Sequence, residues 1–291
     1  MNILVTGANG QLGSEFRSLS LSSSNQFVFC DVDEMDLSSE LSIISYLNTL
    51  KIDIIINCGA YTNVDGAEDN LSLAQSINSE APAILAEYCS KNNIRLIHIS
   101  TDYIFDGKGN TPIVEDQQPN PLSVYGSTKL AGERAILGEL DSAYVFRTSW
   151  VYSTHGHNFV KTMLRLAAER DSLNVVYDQI GTPTYAGDLA QVILNIIDKW
   201  DTVDHPGVYH YSNQGVLSWY DFATAIFDLS GFSCKVNPVR STAFPTKAVR
   251  PTFSLLSKEK ITQTFDIEIP YWKDSLVKCL DVLKHDLVKN S

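Results

Sequence analysis

The run Asn2-Ile3-Leu4-Val5-Thr6-Gly7-Ala8-Asn9-Gly10-Gln11-Leu12-Gly13 decides the fold. Residues 2–6 are short, apolar and β-branched, the composition of a buried strand. An amphipathic helical pattern begins at residue 11, so the glycines fall on a strand-to-helix turn. They have the form GxxGxxG, not the more familiar GxGxxG. Glycine here permits a tight bend and lets backbone N–H groups approach a pyrophosphate, and the helix N-terminus adds partial positive charge. Gly7, Gly10, Gln11, Leu12 and Gly13 are therefore candidate cofactor contacts. A plain turn is the competing reading, and the place of the loop between the first strand and first helix favours phosphate.

Outward from this loop, apolar runs at 26–31, 53–57, 95–100 and 143–149 alternate with helical patterns at 11–20, 38–50, 67–91 and 123–138. Such alternation predicts βαβ units, hence an α/β fold with a Rossmann-type doubly wound parallel sheet. After about residue 150 the rhythm becomes irregular, with helical patterns at 158–170, 186–199, 218–229 and 272–286. The expected organisation is a dinucleotide-binding domain over 1–150, with some later segments returning to it. Residues 151–291 would form mainly a smaller mixed α/β C-terminal substrate-binding lobe. That lobe is expected against the C-terminal edges of the strands, where open α/β sheets bind ligands.

Composition narrows the function classes. The 291 residues are 44% hydrophobic and 19% charged, enough to bury a core. Lys and Arg number 22 against 34 Asp and Glu, a net charge of −12, which argues against nucleic-acid binding through basic patches. Cys30, Cys58, Cys89, Cys234 and Cys279 are odd in number, widely spaced and without a CxxC pair, which disfavours a disulfide framework and a zinc site. Cys30 and Cys58 read as buried thiols. His155 and His157 lie in a Gly-containing loop with no third ligand of suitable spacing, so they read as solvent-facing and no metal site is expected. Neither a secretory leader pattern nor an apolar run of membrane-spanning length is visible, so the expectation is a cytoplasmic protein without a membrane partner.

The second strand ends at Cys30-Asp31, 18 residues after Gly13. A carboxylate there can accept hydrogen bonds from an adenosine ribose and repels a 2′-phosphate. No Arg or Lys occurs between residues 18 and 50, which tilts the choice toward NADH, with NADPH left open. A solvated loop acid is the competing reading of Asp31. Asp36-Leu37 would approach the adenine on weaker grounds. The third strand runs into Asn57-Cys58-Gly59-Ala60-Tyr61-Thr62, whose small residues leave room for a cofactor ribose, although a turn explains them equally well.

The fourth strand ends in Ser100-Thr101-Asp102-Tyr103, and Tyr125-Gly126-Ser127-Thr128-Lys129 opens the next helix. Tyr125 and Lys129, four apart, share a helix face. A ketone that accepts a hydride becomes an alkoxide and needs a proton. Tyr125 can supply it, a neighbouring Lys129 ammonium would lower the phenol pKa, and a Thr101 hydroxyl could hold the carbonyl oxygen. YxxxK alone is common on amphipathic helices; its weight comes from the dinucleotide loop upstream and the Thr that ends the preceding strand.

These runs resemble the extended short-chain dehydrogenase/reductase family and, within it, the dTDP-4-dehydrorhamnose reductases. The resemblance extends through Val64-Asp65, Asn78-Ser79-Glu80-Ala81-Pro82, Ser100 to Gly107, Pro121 to Glu133, Arg147 to Tyr152, Asp178 to Thr184 and Arg250-Pro251. It implies a catalytic trio of Thr101, Tyr125 and Lys129, with Lys129 also on the nicotinamide ribose. It implies a cofactor site of Gly7, Gly10, Gln11, Leu12, Asp31, Ala60 and Tyr61. Asp102 would position the sugar, Trp150 would pack on the deoxysugar ring, Val64 would lie where substrate arrives, and Arg250 would meet the nucleotide diphosphate. Read without the resemblance, Trp150 is a core tryptophan and Arg250 a surface ion pair. The implied partner is a dTDP-sugar, and the resemblance admits a homodimer. Some family members join a first-helix glutamate to a later acidic pair in a magnesium site between subunits. Glu15 is present here, but the later position reads Gly187-Asp188, so a Mg2+-linked dimer is not assumed. On its own, Glu15 is more simply a helix-dipole residue. The rivals are another nucleotide-sugar reductase or an epimerase with the same trio, and a non-catalytic dinucleotide-binding regulatory subunit like that of methionine adenosyltransferase.

Overall fold

A computed structural model describes residues 1–200 and 202–289. The first half alternates β1 (Asn2–Thr6), α1 (Gln11–Ser20), β2 (Gln26–Cys30), α2 (Glu40–Leu47), β3 (Ile54–Asn57), α3 (Val64–Asp69), α4 (Leu71–Gln75), α5 (Ala81–Asn92), β4 (Arg95–Thr101), α6 (Val124–Glu139) and β5 (Tyr144–Thr148). The second half adds β6 (Val151–Tyr152), α7 (Phe159–Glu169), β7 (Ser172–Val176), β8 (Ile180–Gly181), β9 (Thr184–Tyr185), α8 (Ala186–Asp198), β10 (Gly207–Tyr211), β11 (Leu217–Ser218), α9 (Trp219–Ser230), β12 (Lys235–Val239), α10 (Glu259–Phe265) and α11 (Trp272–Lys289).

The main sheet runs β10-β5-β4-β3-β1-β2, with every pairing parallel. Side-chain alternation sorts the strands onto two cores. Ile3, Val5, Ile54, Ile56, Tyr144 and Phe146 face α1 and α8, while Leu4, Ile55, Leu96 and Val145 face α2, α5 and α6. The chain goes from β1 outward to β2, then returns to the other side of β1 as β3. The sheet therefore has its switch point between β1 and β3, where a cleft opens at the strand C-termini. This is the doubly wound α/β sheet expected from the sequence.

The later half divides its packing. β10 is the sixth strand of the main sheet and α8 packs on α1, whereas α7, α9 and α11 enclose a separate core with Tyr152, Phe222 and Leu276. Strands β7, β10 and β12 and helix α10 were not anticipated: they are short, and β12 carries Pro238. The single helix expected over 67–91 is a correction. It is broken at Asn70 (φ −127°, ψ 54°) and passes through a π turn at Ser76–Glu80 before Pro82, which lacks an amide donor for a regular helical bond. Among the described residues no helix is long and apolar enough to cross a membrane.

Candidate active site

The C-terminal ends of β1, β3, β4 and β5 border a cavity of about 700 Å3, a size typical of small-molecule sites. Gly7 holds φ +60°, and a Cβ there would lie 2.7 Å from Gly59 Cα. A Cβ on Gly13 would lie 2.4 Å from the Gly7 carbonyl oxygen. The loop can thus pass this close to β3 and fold back on α1 only with glycine. Gly7, Gly10, Gln11 and Leu12 line the cavity, and Gly13 packs beneath them. Gly10 is the N-cap of α1 and offers no side-chain acceptor to the first-turn amides, a cradle that fits a pyrophosphate. Gln11 also ties this turn to a later loop: its side chain donates to the Val151 carbonyl at 3.4 Å and accepts from Asn158 Nδ2 at 3.0 Å.

Asp31 lines the same cavity and accepts the Asn9 amide at 2.7 Å and the Val32 amide at 2.9 Å. Asp36 and Leu37 extend that wall, and Ala60 and Val64 form part of the opposite one. Tyr61 is not among the lining residues. Its amide donates to Asn78 Oδ1 at 2.8 Å, and its hydroxyl lies against α3 beside Gly66.

Thr101, Asp102, Tyr125, Lys129 and Trp150 all line the cavity. Thr101 ends β4, and its hydroxyl bonds the Tyr125 phenol, donates to Asp102 Oδ1 at 3.2 Å and accepts the Tyr103 amide at 3.2 Å. Ser123 caps α6 by accepting the Gly126 amide at 3.1 Å, which fixes the helix start and so the direction of Tyr125 and Lys129. The sequence-based expectation that Lys129 lowers the Tyr125 pKa needs correction. Burial raises the phenol to about 12, and the group that opposes this is Thr101. The Lys129 ammonium is turned to the sheet, donating to the Ile99 carbonyl at 2.6 Å and lying 3.1 Å from His98 Nε2. Burial lowers Lys129 to about 8, against the opposing influence of Glu133. Tyr125 therefore keeps its proton over the ordinary pH range, the state a proton donor needs.

Asp102 is 2% exposed, and its Oδ2 has no hydrogen-bond partner among the described residues. Burial raises its carboxyl to about 6. An unpartnered acceptor beside Thr101 suits a substrate hydroxyl. Trp150 follows β5 at φ +49°, unusual for a bulky residue, and its ring lies against Gly181, where a Cβ would meet it at 3.0 Å. Arg250 is not a lining residue: its guanidinium is held by Asp65 at 2.8 and 3.3 Å. Glu15 accepts the Ser153 hydroxyl at 2.6 Å, Asp188 accepts from Asn213 at 2.8 Å and from Ser275, and a Cβ on Gly187 would stand 3.2 Å from Glu15 Oε2. His155 and His157 are exposed, and His157 lies at the cavity wall. The sequence reading missed this placement of His157, the Trp219 ring behind Trp150, and the buried Thr6, Asn57 and His98. A histidine inside the apolar run Leu96-Ile97-His98-Ile99 was the one available signal for the last group.

The family model described as the RmlD substrate binding domain matches residues 1–285. A dTDP-4-dehydrorhamnose reductase of Aggregatibacter actinomycetemcomitans is 41% identical, over 94% of this chain and 96% of that protein. The crystal structure of a dTDP-4-dehydrorhamnose reductase from Clostridium acetobutylicum is 40% identical, with a TM-score of 0.92 and coverage of 98% of this chain and all of that one (100%). One from Bacillus anthracis, solved in complex with NADP, is 34% identical, with a TM-score of 0.92 over 96% of this chain and 98% of that one. Epimerases solved with NAD, from Bacillus cereus and Thermus thermophilus, are 21% and 17% identical and share the fold. With the family model spanning nearly its whole length and relatives at this level of identity, the chain belongs to the RmlD substrate binding domain family, whose relatives here are dTDP-4-dehydrorhamnose reductases.

Proposed function

We propose that this protein reduces the C4 ketone of dTDP-4-dehydro-L-rhamnose to dTDP-L-rhamnose with NADH or NADPH. The observation that carries the reading is the convergence of Thr101, Tyr125 and Lys129 on the cavity that the Gly7–Gly13 loop also lines. The relatives named for this reaction support the choice of substrate.

Residues 1–150, joined by α8 and β10, would hold the dinucleotide, and most of 151–291 would hold the sugar. Gly7, Gly10, Gln11 and Leu12 would hold the pyrophosphate at the start of α1, Asp31 the adenosine ribose, and Ala60 the groove wall, with Gly13 and Tyr61 as supports behind them. The reduced nicotinamide supplies a hydride to the carbonyl carbon. Thr101 would turn its hydroxyl hydrogen from Asp102 Oδ1 to the ketone oxygen, and Tyr125 gives the proton that the developing alkoxide takes. Lys129 remains an ammonium beside them, held by the Ile99 carbonyl and His98, and its remaining N–H would reach the nicotinamide ribose. Asp102 Oδ2 accepts from a sugar hydroxyl, Trp150 offers an aromatic face to the sugar C–H groups, and Val64 stands at the approach. Arg250 would reach a diphosphate by exchanging its bond with Asp65. Cytoplasmic location and homodimer assembly belong to the same proposal.

The test is oxidation of NADH and of NADPH in the presence of enzymatically prepared dTDP-4-dehydrorhamnose, with product NMR. Substrate-dependent oxidation yielding the rhamnose configuration supports the reading. A talose-configured product, or interconversion without net cofactor consumption, would replace it with a reductase of the opposite face or an epimerase. Dinucleotide binding without turnover would point to the regulatory-subunit alternative.

A further inference from the structure

Lys129 stands on a buried polar row. Thr6, Asn57 and His98 are paired in register across β1, β3 and β4, on the face of the sheet that α6 covers. Their neighbours on that face, Leu4, Ile55 and Leu96, are apolar. Thr6 and Asn57 are 1% exposed and His98 is 0% exposed, so water does not complete their hydrogen bonds and each must find a partner in the protein. They do so in sequence. The Gly59 amide donates to Thr6 Oγ1 at 3.1 Å, Thr6 Oγ1 lies 2.7 Å from Asn57 Oδ1, the Asn57 amide lies 3.0 Å from His98 Nδ1, and His98 Nε2 lies 3.1 Å from Lys129 Nζ. The row begins at the glycine that packs against Gly7 and ends at the amine in the active site.

Two proton patterns are open to this row: with the Asn57 amide as placed, Thr6 donates to Oδ1 and Nδ2 meets the ring, and with the amide turned end for end, Oδ1 meets the ring and Thr6 accepts from Nδ2 in place of donating. If the amide nitrogen meets Nδ1, the ring proton is on Nε2 and Lys129 must be a neutral amine that accepts it. If the amide oxygen meets Nδ1–H, Nε2 is an acceptor and Lys129 donates to it as an ammonium. The second pattern gives two charge-assisted hydrogen bonds, to Nε2 and to the Ile99 carbonyl, the stronger arrangement in a dry site. Burial, reinforced by Lys129, holds the His98 pKa well below its usual value, so the ring is neutral and free to accept.

We propose that His98 is a positioning residue for the reduction. It is a neutral imidazole, protonated at Nδ1, whose Nε2 takes one N–H of the Lys129 ammonium. With the Ile99 carbonyl taking a second, the third N–H is the one left for the cavity. The row thereby keeps Lys129 charged and aimed. This rests on the reductase reading of the trio. The other ionisable groups acting on Lys129 are Glu133 on its own helix and Cys58 after β3.

The experiment pairs side-chain 15N NMR of His98 in the wild-type protein with kinetics of His98→Phe and His98→Gln. The expected tautomer carries its proton on Nδ1. His98→Phe keeps the volume and removes the acceptor, so kcat should fall about tenfold or more, with the alkaline limb of its pH profile moved to lower pH and the KM for the nucleotide sugar held within about threefold. His98→Gln restores an acceptor and should recover most of kcat and of the limb. An Nε2–H tautomer, or a folded His98→Phe enzyme with the wild-type limb, overturns the proposal. If the wild type turns over no nucleotide sugar, the reductase reading has failed. The tautomer, with the pH dependence of NADPH binding in wild type and His98→Phe, still decides the role of His98.

Discussion

The ring of Trp150 lies on that of Trp219, with centroids 3.8 Å apart and planes 14° from parallel. Phe159 leans on the same Trp219 ring at 4.6 Å. A bulky residue at positive φ costs on the order of 1–3 kcal/mol and persists only where its surroundings hold it. Here the stack from α9 and α7 does so, and it fixes the aromatic wall of the cavity. Trp219→Ala should therefore raise the KM for the nucleotide sugar about tenfold with a smaller change in kcat. Steady-state kinetics check this, and loss of the coupled indole signal in circular dichroism reports the broken stack. An unchanged KM with the stack lost would mean that Trp150 does not depend on it.

Tyr125→Phe removes the proposed proton donor and leaves Thr101, Lys129 and the Gly7–Gly13 loop in place. Turnover should fall by a factor of about 100 or more, while NADPH affinity and the melting temperature stay near wild type. Normal turnover in this variant would remove Tyr125 from the mechanism.

The parts of this site differ in how much the sequence revealed. The glycine loop was readable because its constraints are local: a strand, a turn that only glycine fits and a helix lie within a dozen residues. The Tyr125–Lys129 pair was readable as one helix face, but the direction of the lysine was not. Its partners, Ile99 and His98, come from a strand about thirty residues upstream, and only the sheet register shows that His98 stands beside Asn57 and Thr6. Strand β10 was hidden for a related reason. Gly-Val-Tyr-His-Tyr has neither a clean alternation nor a continuous apolar run, and it becomes a strand because β5 offers it an edge.

The pH dependence should have two limbs. Lys129 is lowered to about 8 chiefly by burial, so its ammonium is lost as pH rises through that value and kcat/KM should fall on the alkaline side. Asp102 is raised to about 6, again by burial, so its acceptor carboxylate is lost as pH falls through that value and the substrate KM should rise on the acid side. A pH profile of kcat and of kcat/KM separates the two. In Asp102→Asn the acid limb should disappear and the alkaline limb remain.

Asp102 also bears on stability. Its folded-state pKa of about 6 lies above the ordinary 3.8, so the group favours the folded state below the lower value, and that contribution is lost as pH rises through the higher one. Near neutral pH the buried carboxylate then costs on the order of 3 kcal/mol relative to its protonated form. Asp102→Asn should raise the denaturation midpoint near neutral pH, with the gain shrinking to nothing in acid. Urea unfolding of both proteins across that range would show it. A gain independent of pH would attribute the effect to packing.

Glu133 and Arg147 form the ion pair beneath the active site. Arg147 Nη2 and Nε reach the Glu133 carboxylate at 2.8 and 3.1 Å, Arg147 Nη1 donates to the Glu115 carbonyl at 2.9 Å, and Ser100 donates to Glu133. Glu133 is 1% and Arg147 5% exposed, so neither charge can turn to water when its partner is removed. Arg147→Met should destabilise by about 3–5 kcal/mol, because it leaves Glu133 charged and unpaired, and adding Glu133→Gln should recover part of that loss. The second substitution has its own kinetic consequence, since Glu133 is the group that holds the Lys129 pKa up against burial. In the double variant the alkaline limb should therefore move to lower pH even as stability returns. Chemical denaturation of the two single variants and the double variant measures the coupling, and the pH profile of the double variant measures the link to Lys129. Additive stability losses with an unmoved limb would show that this pair neither depends on itself nor reaches Lys129.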